Sequence, residues 1–156
     1  MSKSSDTLAL EKGLSRTTTS FLFTRLLHQI RLRERQPRKL GAVGSFTPSE
    51  IHIIQTIGIG RGMIMGEVAN RIGVTSGAIT QIVERMENKG LVRRFQLMRG
   101  SNKVNVILTD KGESVYFAYE EFFVKPFDQW IRDELNENEL KSFEKGVKKL
   151  IEFLNE

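Results

Sequence analysis

A mainly helical α+β chain is what this sequence predicts, with one β-hairpin set among the helices. Three observations carry that reading. Apolar residues recur three and four apart along most of the 156 residues, the period of a helix face. Capping residues mark where helices open, at Thr47, Thr75, Thr109 and Asn136. One pair of apolar, β-branched runs, Leu91 to Gln96 and Val104 to Leu108, lies at hairpin distance. The length suits about one domain.

Taken in order, Leu14, Phe21, Leu22, Leu26, Leu27 and Ile30 mark an amphipathic helix from about Leu14 to Leu32. It ends before Pro37. Arg31, Arg33, Arg35, Arg38 and Lys39 crowd its end, where the helix dipole favours cations, and Gly41 to Gly44 reads as a loop. Thr47-Pro48-Ser49-Glu50 then places a threonine at the cap, proline at the first helical position and glutamate at the third, a capping box that opens a helix through Ile57. Gly58, Gly60 and Gly62 look superficially like a phosphate-cradling loop. They follow a helix rather than a strand, however, and lack a Gly-Lys-Ser/Thr or a distant acidic partner, which favours a flexible connector over a nucleotide site.

Met65 to Ile72 forms the next helix, Gly73-Val74-Thr75 a tight turn, and Thr75 to Lys89 a further helix closed by Gly90. Two short helices across a glycine-containing turn make a helix-turn-helix. The hairpin that follows, bridged by residues 97–103 with Arg99 and Lys103, is a basic wing. Beyond Thr109, which opens another helix with Asp110, seven of the thirteen aromatic residues fall between Tyr116 and Trp130. Pro126 is expected to interrupt or kink that stretch. The last helix, capped at Asn136, carries a heptad seam of Leu140, Phe143, Val147, Leu150, Ile151 and Leu154, which suits a packing stripe or a coiled coil. Apolar helices at both ends exceed what a small winged unit can cover, so they are expected to form a dimer interface. The organisation is one integrated domain: an N-terminal arm and dimerisation helix over 1–45, a winged helix-turn-helix over 46–109, and C-terminal dimerisation helices over 110–156.

Composition removes several kinds of chemistry. The chain has no cysteine and two histidines, so disulfides, thiol nucleophiles, cysteine redox switches and cysteine zinc sites are excluded. No cofactor or metal is expected. Paired carboxylates such as Glu120 and Glu121 are adjacent and point different ways on a helix, so no acid–base pair suggests an enzyme. Neither a membrane span nor an apolar leader stands out, and a cytoplasmic protein is expected. Charge is divided along the chain: residues 1–46 carry nine basic and three acidic side chains, net +6; residues 47–109 carry eight and four, net +4; residues 110–156 carry seven and twelve, net −5. A basic first two-thirds joined to an acidic last third suggests that one face meets a polyanion.

The helix from Thr75 to Lys89 specifies that face. At about 100° per residue, Ile79, Ile82, Val83 and Met86 share one side, with Gly77, Gln81, Glu84, Arg85 and Asn88 roughly opposite. Its fifteen residues span about 22 Å, enough to lie in a DNA major groove. Gln81 suits bidentate contact with adenine, Thr80 a thymine methyl or a phosphate, and Ser76, with the amides of the helix start capped by Thr75, a phosphate. Arg85, Arg93, Arg94, Arg99 and Lys103 add positive charge beside it. Glu84 opposes it.

The stretch from Phe46 to Gly112 resembles the MarR family of transcriptional regulators. The residues that carry the resemblance are Phe46-Thr47-Pro48-Ser49-Glu50, Glu67-Val68-Ala69 with Ile72-Gly73-Val74-Thr75, Glu87 to Arg94 running into the wing, and Leu108-Thr109-Asp110-Lys111-Gly112 leaving it. One departure concerns the wing, where the family's Asp-Arg-Arg is replaced by Gly100-Ser101-Asn102 between Arg99 and Lys103. The resemblance implies a homodimeric, double-stranded DNA-binding regulator, most simply a repressor on a pseudo-palindromic operator, released by a small aromatic or acidic effector. It directs attention to Thr75, Ser76, Gly77, Thr80, Gln81, Arg85, Arg94, Arg99 and Lys103 for DNA, and to His28, His52, Tyr116 and Tyr119 for the effector. The alternative is a winged-helix module used only for protein contact, which would favour a neutral or acidic face in place of this basic one.

Overall fold

The computed structural model describes residues 17–155 apart from 97, 99 and 101. Leu14, at the expected start of the first helix, and Arg99, one of the expected DNA contacts, therefore lie outside the described residues. In chain order run α1 (Thr17–Arg33), β1 (Arg38–Lys39), a 3-10 turn (Gly41–Val43), β2 (Ser45–Phe46), α2 (Pro48–Ile57), β3 (Met63–Ile64) and α3 (Met65–Ile72). Then follow α4 (Ser76–Asn88), β4 (Val92–Gln96), β5 (Val104–Leu108), α5 (Asp110–Tyr119), a π-helical turn (Glu120–Val124), α6 (Lys125–Glu134) and α7 (Glu137–Leu154). This is the mainly helical α+β chain with a winged helix-turn-helix that the sequence predicts.

Helices open where the capping residues place them. The Thr47 hydroxyl accepts from the Glu50 N–H at 3.3 Å while the Glu50 carboxylate accepts the Thr47 N–H at 2.9 Å. Asn136 and Glu139 repeat this box at α7, and single threonine caps, Thr75 and Thr109, open α4 and α5. Each cap satisfies amides that a helix start otherwise leaves unpaired. Pro126 does not break its helix. The turn before it widens instead, the Lys125 N–H reaching the Glu120 carbonyl, a local π register that accommodates the donor proline lacks.

The core lies among α2, α3, α4, α5 and a three-stranded antiparallel sheet in the order β3-β5-β4. Ile53, Ile54, Val68, Val83, Met86 and Val106 are fully buried in it, each such side chain contributing roughly 1.5–3 kcal/mol. Strand β3, pairing Met63 with Val106, was not foreseen in the sequence. The glycine run before it is a connector fastened at both ends. Gly58 closes α2 through its N–H to the Ile54 carbonyl at 3.0 Å. Gly62, at φ +75°, sits where a Cβ would collide with the Val106 carbonyl, so only glycine lets the loop close on β5. Buried Asn105 locks it, its Nδ2 donating to the Arg61 carbonyl at 3.1 Å.

A second, two-stranded pairing sets Arg38 opposite Phe46. Because Phe46 is buried, this pairing ties the segment after α1 to the start of α2. Large apolar surface stays uncovered elsewhere. Phe21, Leu22 and Leu26 on α1, Phe127 and Trp130 on α6, and Ile151 on α7 are all more than half exposed, and large apolar side chains left open in such numbers mark an interaction surface.

Candidate nucleic-acid interface

Helix α4 is anchored by one face and displays the other. Ile79, Val83 and Met86 are buried with at most 1% exposure, whereas Ser76, Gly77, Gln81, Glu84, Arg85 and Asn88 are exposed. Thr75 is occupied as the cap, its hydroxyl accepting the Ala78 N–H at 3.2 Å, and the half-buried Thr80 donates its hydroxyl to the Ser76 carbonyl at 2.8 Å. Thr80 therefore already has a hydrogen-bond partner within its own helix. Gln81 and Arg85, four residues apart, share one exposed side.

Two ion pairs fix this helix at its C-terminal end. Glu50, buried in the first turn of α2, pairs with Lys89, and Glu87 pairs with Arg94 of β4 at 2.7 Å. Burial by itself would raise the Glu50 carboxyl, but bonds from Lys89 and the Thr47 amide outweigh it and hold the group below its ordinary range. Glu87 is lowered chiefly by the Arg94 backbone N–H, against the opposing effect of burial, with the guanidinium adding to the shift. Glu87 thus receives the Arg94 N–H at 2.9 Å and its Nε at 2.8 Å. Arg94 is placed differently from a free phosphate contact: its guanidinium turns onto the helix and braces the wing against α4. Such pairings join residues that only the fold brings together, and no sequence signal pointed to them.

The wing itself is β4 and β5, with Arg94 opposite Val106 and Phe95 opposite Asn105. Arg93 and Lys103 are exposed on it, and Gly100, at φ +82°, turns its tip. Exposed Arg85 puts positive charge on the polar face of α4 itself.

A cleft of about 530 Å³ lies between α2 and the end of α5, walled by Glu34, Arg38, His52, Gln55 and Tyr119 among others. The Tyr119 ring stacks on Phe123 at 5.4 Å, and the Arg38 guanidinium lies over Phe123 at 4.9 Å. Of the four effector candidates, His52 and Tyr119 meet here. His28 is exposed on α1 instead, and Tyr116, one turn before Tyr119, sets its ring edge-on to Phe117 at 5.6 Å. Tyr116 contributes its carbonyl, which accepts from Gln55 Nε2 at 3.4 Å. Arg38 was visible in the sequence only as one of a run of cations, and Gln55 gave no signal. Among the described residues no group of three or more His, Asp or Glu could hold a metal, and no helix is long and apolar enough to cross a membrane.

Residues 46–98 match the model of the MarR family. No curated protein matches the chain by sequence. Among solved structures, FabT of Streptococcus pneumoniae in complex with DNA is 23% identical, with a TM-score of 0.75 over 90% of this chain and 98% of its own. The S. aureus MepR–DNA complex is 20% identical, with a TM-score of 0.67 over 88% and 98% of the two chains. The PcaV transcriptional regulator of Streptomyces coelicolor, in complex with its natural ligand, is 17% identical, with a TM-score of 0.63 over 90% and 96%. At these identities the likeness is one of fold, and it extends beyond the winged unit to nearly the whole chain.

Proposed function

We propose that this chain, which carries a MarR-family winged helix-turn-helix over residues 46–98, is a sequence-specific double-stranded DNA-binding transcriptional regulator rather than an enzyme. It acts in the cytoplasm as a homodimer. The observation that carries this reading is α4: one face locked in the core, the other polar, exposed and carrying Arg85. That is what a helix needs in order to lie in a major groove, and the DNA complexes of FabT and MepR, on the same fold, support it.

In this reading Gln81 reads a base edge, with Arg85 beside it. Ser76 and Gly77, at the amide-rich start of α4, take a phosphate, and Lys103 and Arg99 serve at the wing. Thr75 positions the helix start, Thr80 presents its methyl group, and Arg94 orients the wing. Exposed apolar faces on α1, α6 and α7 are covered by a second copy, which sets two recognition helices against the half-sites of an inverted repeat. Occupancy of that site represses transcription. A small aromatic or acidic effector bound among Arg38, His52 and Tyr119 releases it; the ligand complex of PcaV on this fold supports such a site.

Selection of bound duplexes from a random pool tests the proposal. Inverted repeats with half-site centres about 10 base pairs, or a multiple, apart are expected. Failure to enrich any sequence would leave the winged unit as a protein-contact module.

A further inference from the structure

The run from Arg31 to Lys39 carries five cations and one carboxylate in nine residues, and nothing in the roles above uses them beyond Arg38. Arg31, Arg33, Arg35 and Lys39 are all exposed. Among the described residues none of the four takes part in a salt bridge. The run's carboxylate, Glu34, lines the cleft with Arg38. Arg31 and Arg33 lie in the last turn of α1, where the helix dipole accounts for one or two cations. Arg35 and Lys39 lie beyond it. Arg31 and Arg35 are also four residues apart, a spacing at which like charges repel on a helical turn. The backbone keeps them close, since the Glu34 N–H reaches the Ile30 carbonyl at 2.9 Å and the Gln36 N–H the Arg33 carbonyl at 3.3 Å.

The run is also fastened to the winged unit. Arg38 pairs with Phe46 across β1 and β2, and the Leu40 N–H bonds the Gly44 carbonyl at 2.8 Å. Phe46 leads directly to Thr47, whose N–H is held by Glu50, and Glu50 grips Lys89 at the C-terminal end of α4. A short series of fixed contacts therefore joins the unpaired cations to the end of the recognition helix. A mobile basic tail would have no such fixed placement.

We propose that Arg31, Arg33 and Arg35, with Lys39, form a second DNA contact that holds backbone phosphates outside the groove read by α4, independently of sequence. This rests on the DNA-binding reading above. The contact neutralises phosphates without touching bases, so it adds affinity and salt dependence while leaving sequence preference unchanged. It also relieves the mutual repulsion of the run.

The test compares the wild-type chain with an Arg31→Ala, Arg33→Ala, Arg35→Ala triple variant and the corresponding triple Arg→Lys variant, on one selected duplex. Each phosphate contact contributes a log–log salt slope of roughly −0.9. Between 50 and 200 mM salt the wild type should therefore lose about 40-fold more affinity than the alanine triple variant if all three arginines engage. The lysine triple variant should behave as wild type. Ethylation interference should show phosphates that matter to the wild type and not to the alanine variant. Equal salt slopes and identical interference patterns would overturn the proposal. So would loss by the alanine variant of binding to phosphatidylserine vesicles with DNA behaviour unchanged, which would assign the run to an anionic membrane. A wild type that shows no salt-dependent duplex binding would instead bring down the DNA reading itself, and this contact with it.

Discussion

Glu87→Gln and Arg94→Ala decide what the Arg94 guanidinium is for. The Glu87 carboxylate accepts the Arg94 N–H at 2.9 Å and Nε at 2.8 Å, and the Nη2 pair closes at 2.7 Å, with both side chains 31% exposed. A hydrogen bond to a charged group contributes about 1.5–3 kcal/mol when well shielded. Exposure reduces that toward the smaller values of surface pairs, so losing the brace should cost roughly 1–2 kcal/mol, about 5- to 30-fold in an equilibrium. If the pair orients the wing against α4, either substitution weakens binding by such a factor on selected and scrambled duplexes alike. The double variant should then be no worse than the poorer single one, since both remove the same interaction. The assay is a titration of all four proteins at fixed salt, with urea unfolding alongside to separate wing orientation from global stability. Unchanged or tighter binding by Glu87→Gln, together with a salt slope shallower by about 0.9 for Arg94→Ala alone, would refute the brace and make Arg94 a phosphate contact.

Gln81→Ala should cost roughly 1–3 kcal/mol on the selected duplex and much less on a scrambled one, because base readout is lost and phosphate attraction is kept; equal losses on both would move readout elsewhere. Light scattering should give twice the monomer mass for the wild type, and Leu150→Glu with Leu154→Glu should give monomers, since charge in a buried seam is costly; a monomeric wild type would end the dimer reading. Glu50 and Glu87 stay ionised at pH values where the same groups in an unfolded chain have begun to take up protons, so their stabilisation is complete above the ordinary value of 4.5 and is lost as pH falls through their lowered folded values. Thermal melts from pH 7 to 3 should show Glu50→Gln less stable at pH 7 and less sensitive to acid than wild type; parallel pH profiles would contradict that.

What the sequence disclosed was what is determined locally. Thr47, Thr75, Thr109 and Asn136 bond amides two or three residues away, so helix starts were legible without the fold. The polar face of α4 follows from periodicity alone, as do the uncovered stripes on α1 and α7. Features that depend on distant partners were not legible. Strand β3 is two residues long and exists because Gly62 allows close approach to Val106. Glu50 and Lys89 lie 39 residues apart and meet only in the folded chain. At Pro126 the expected interruption or kink takes the form of a π turn, in which the Lys125 N–H reaches one residue further back, to the Glu120 carbonyl. For the effector, residue type suggested His28 and Tyr116 as readily as His52 and Tyr119, and packing alone separates them.

The most direct test of the central claim is a titration of labelled duplexes, one carrying the selected inverted repeat and one a scrambled sequence of equal length and composition, at about 0.15 M salt. A protein that reads bases with the exposed face of α4 should bind the repeat about a thousandfold more tightly or better, saturating at two chains per duplex. Equal affinity for the two duplexes, or no binding to either, would contradict the account.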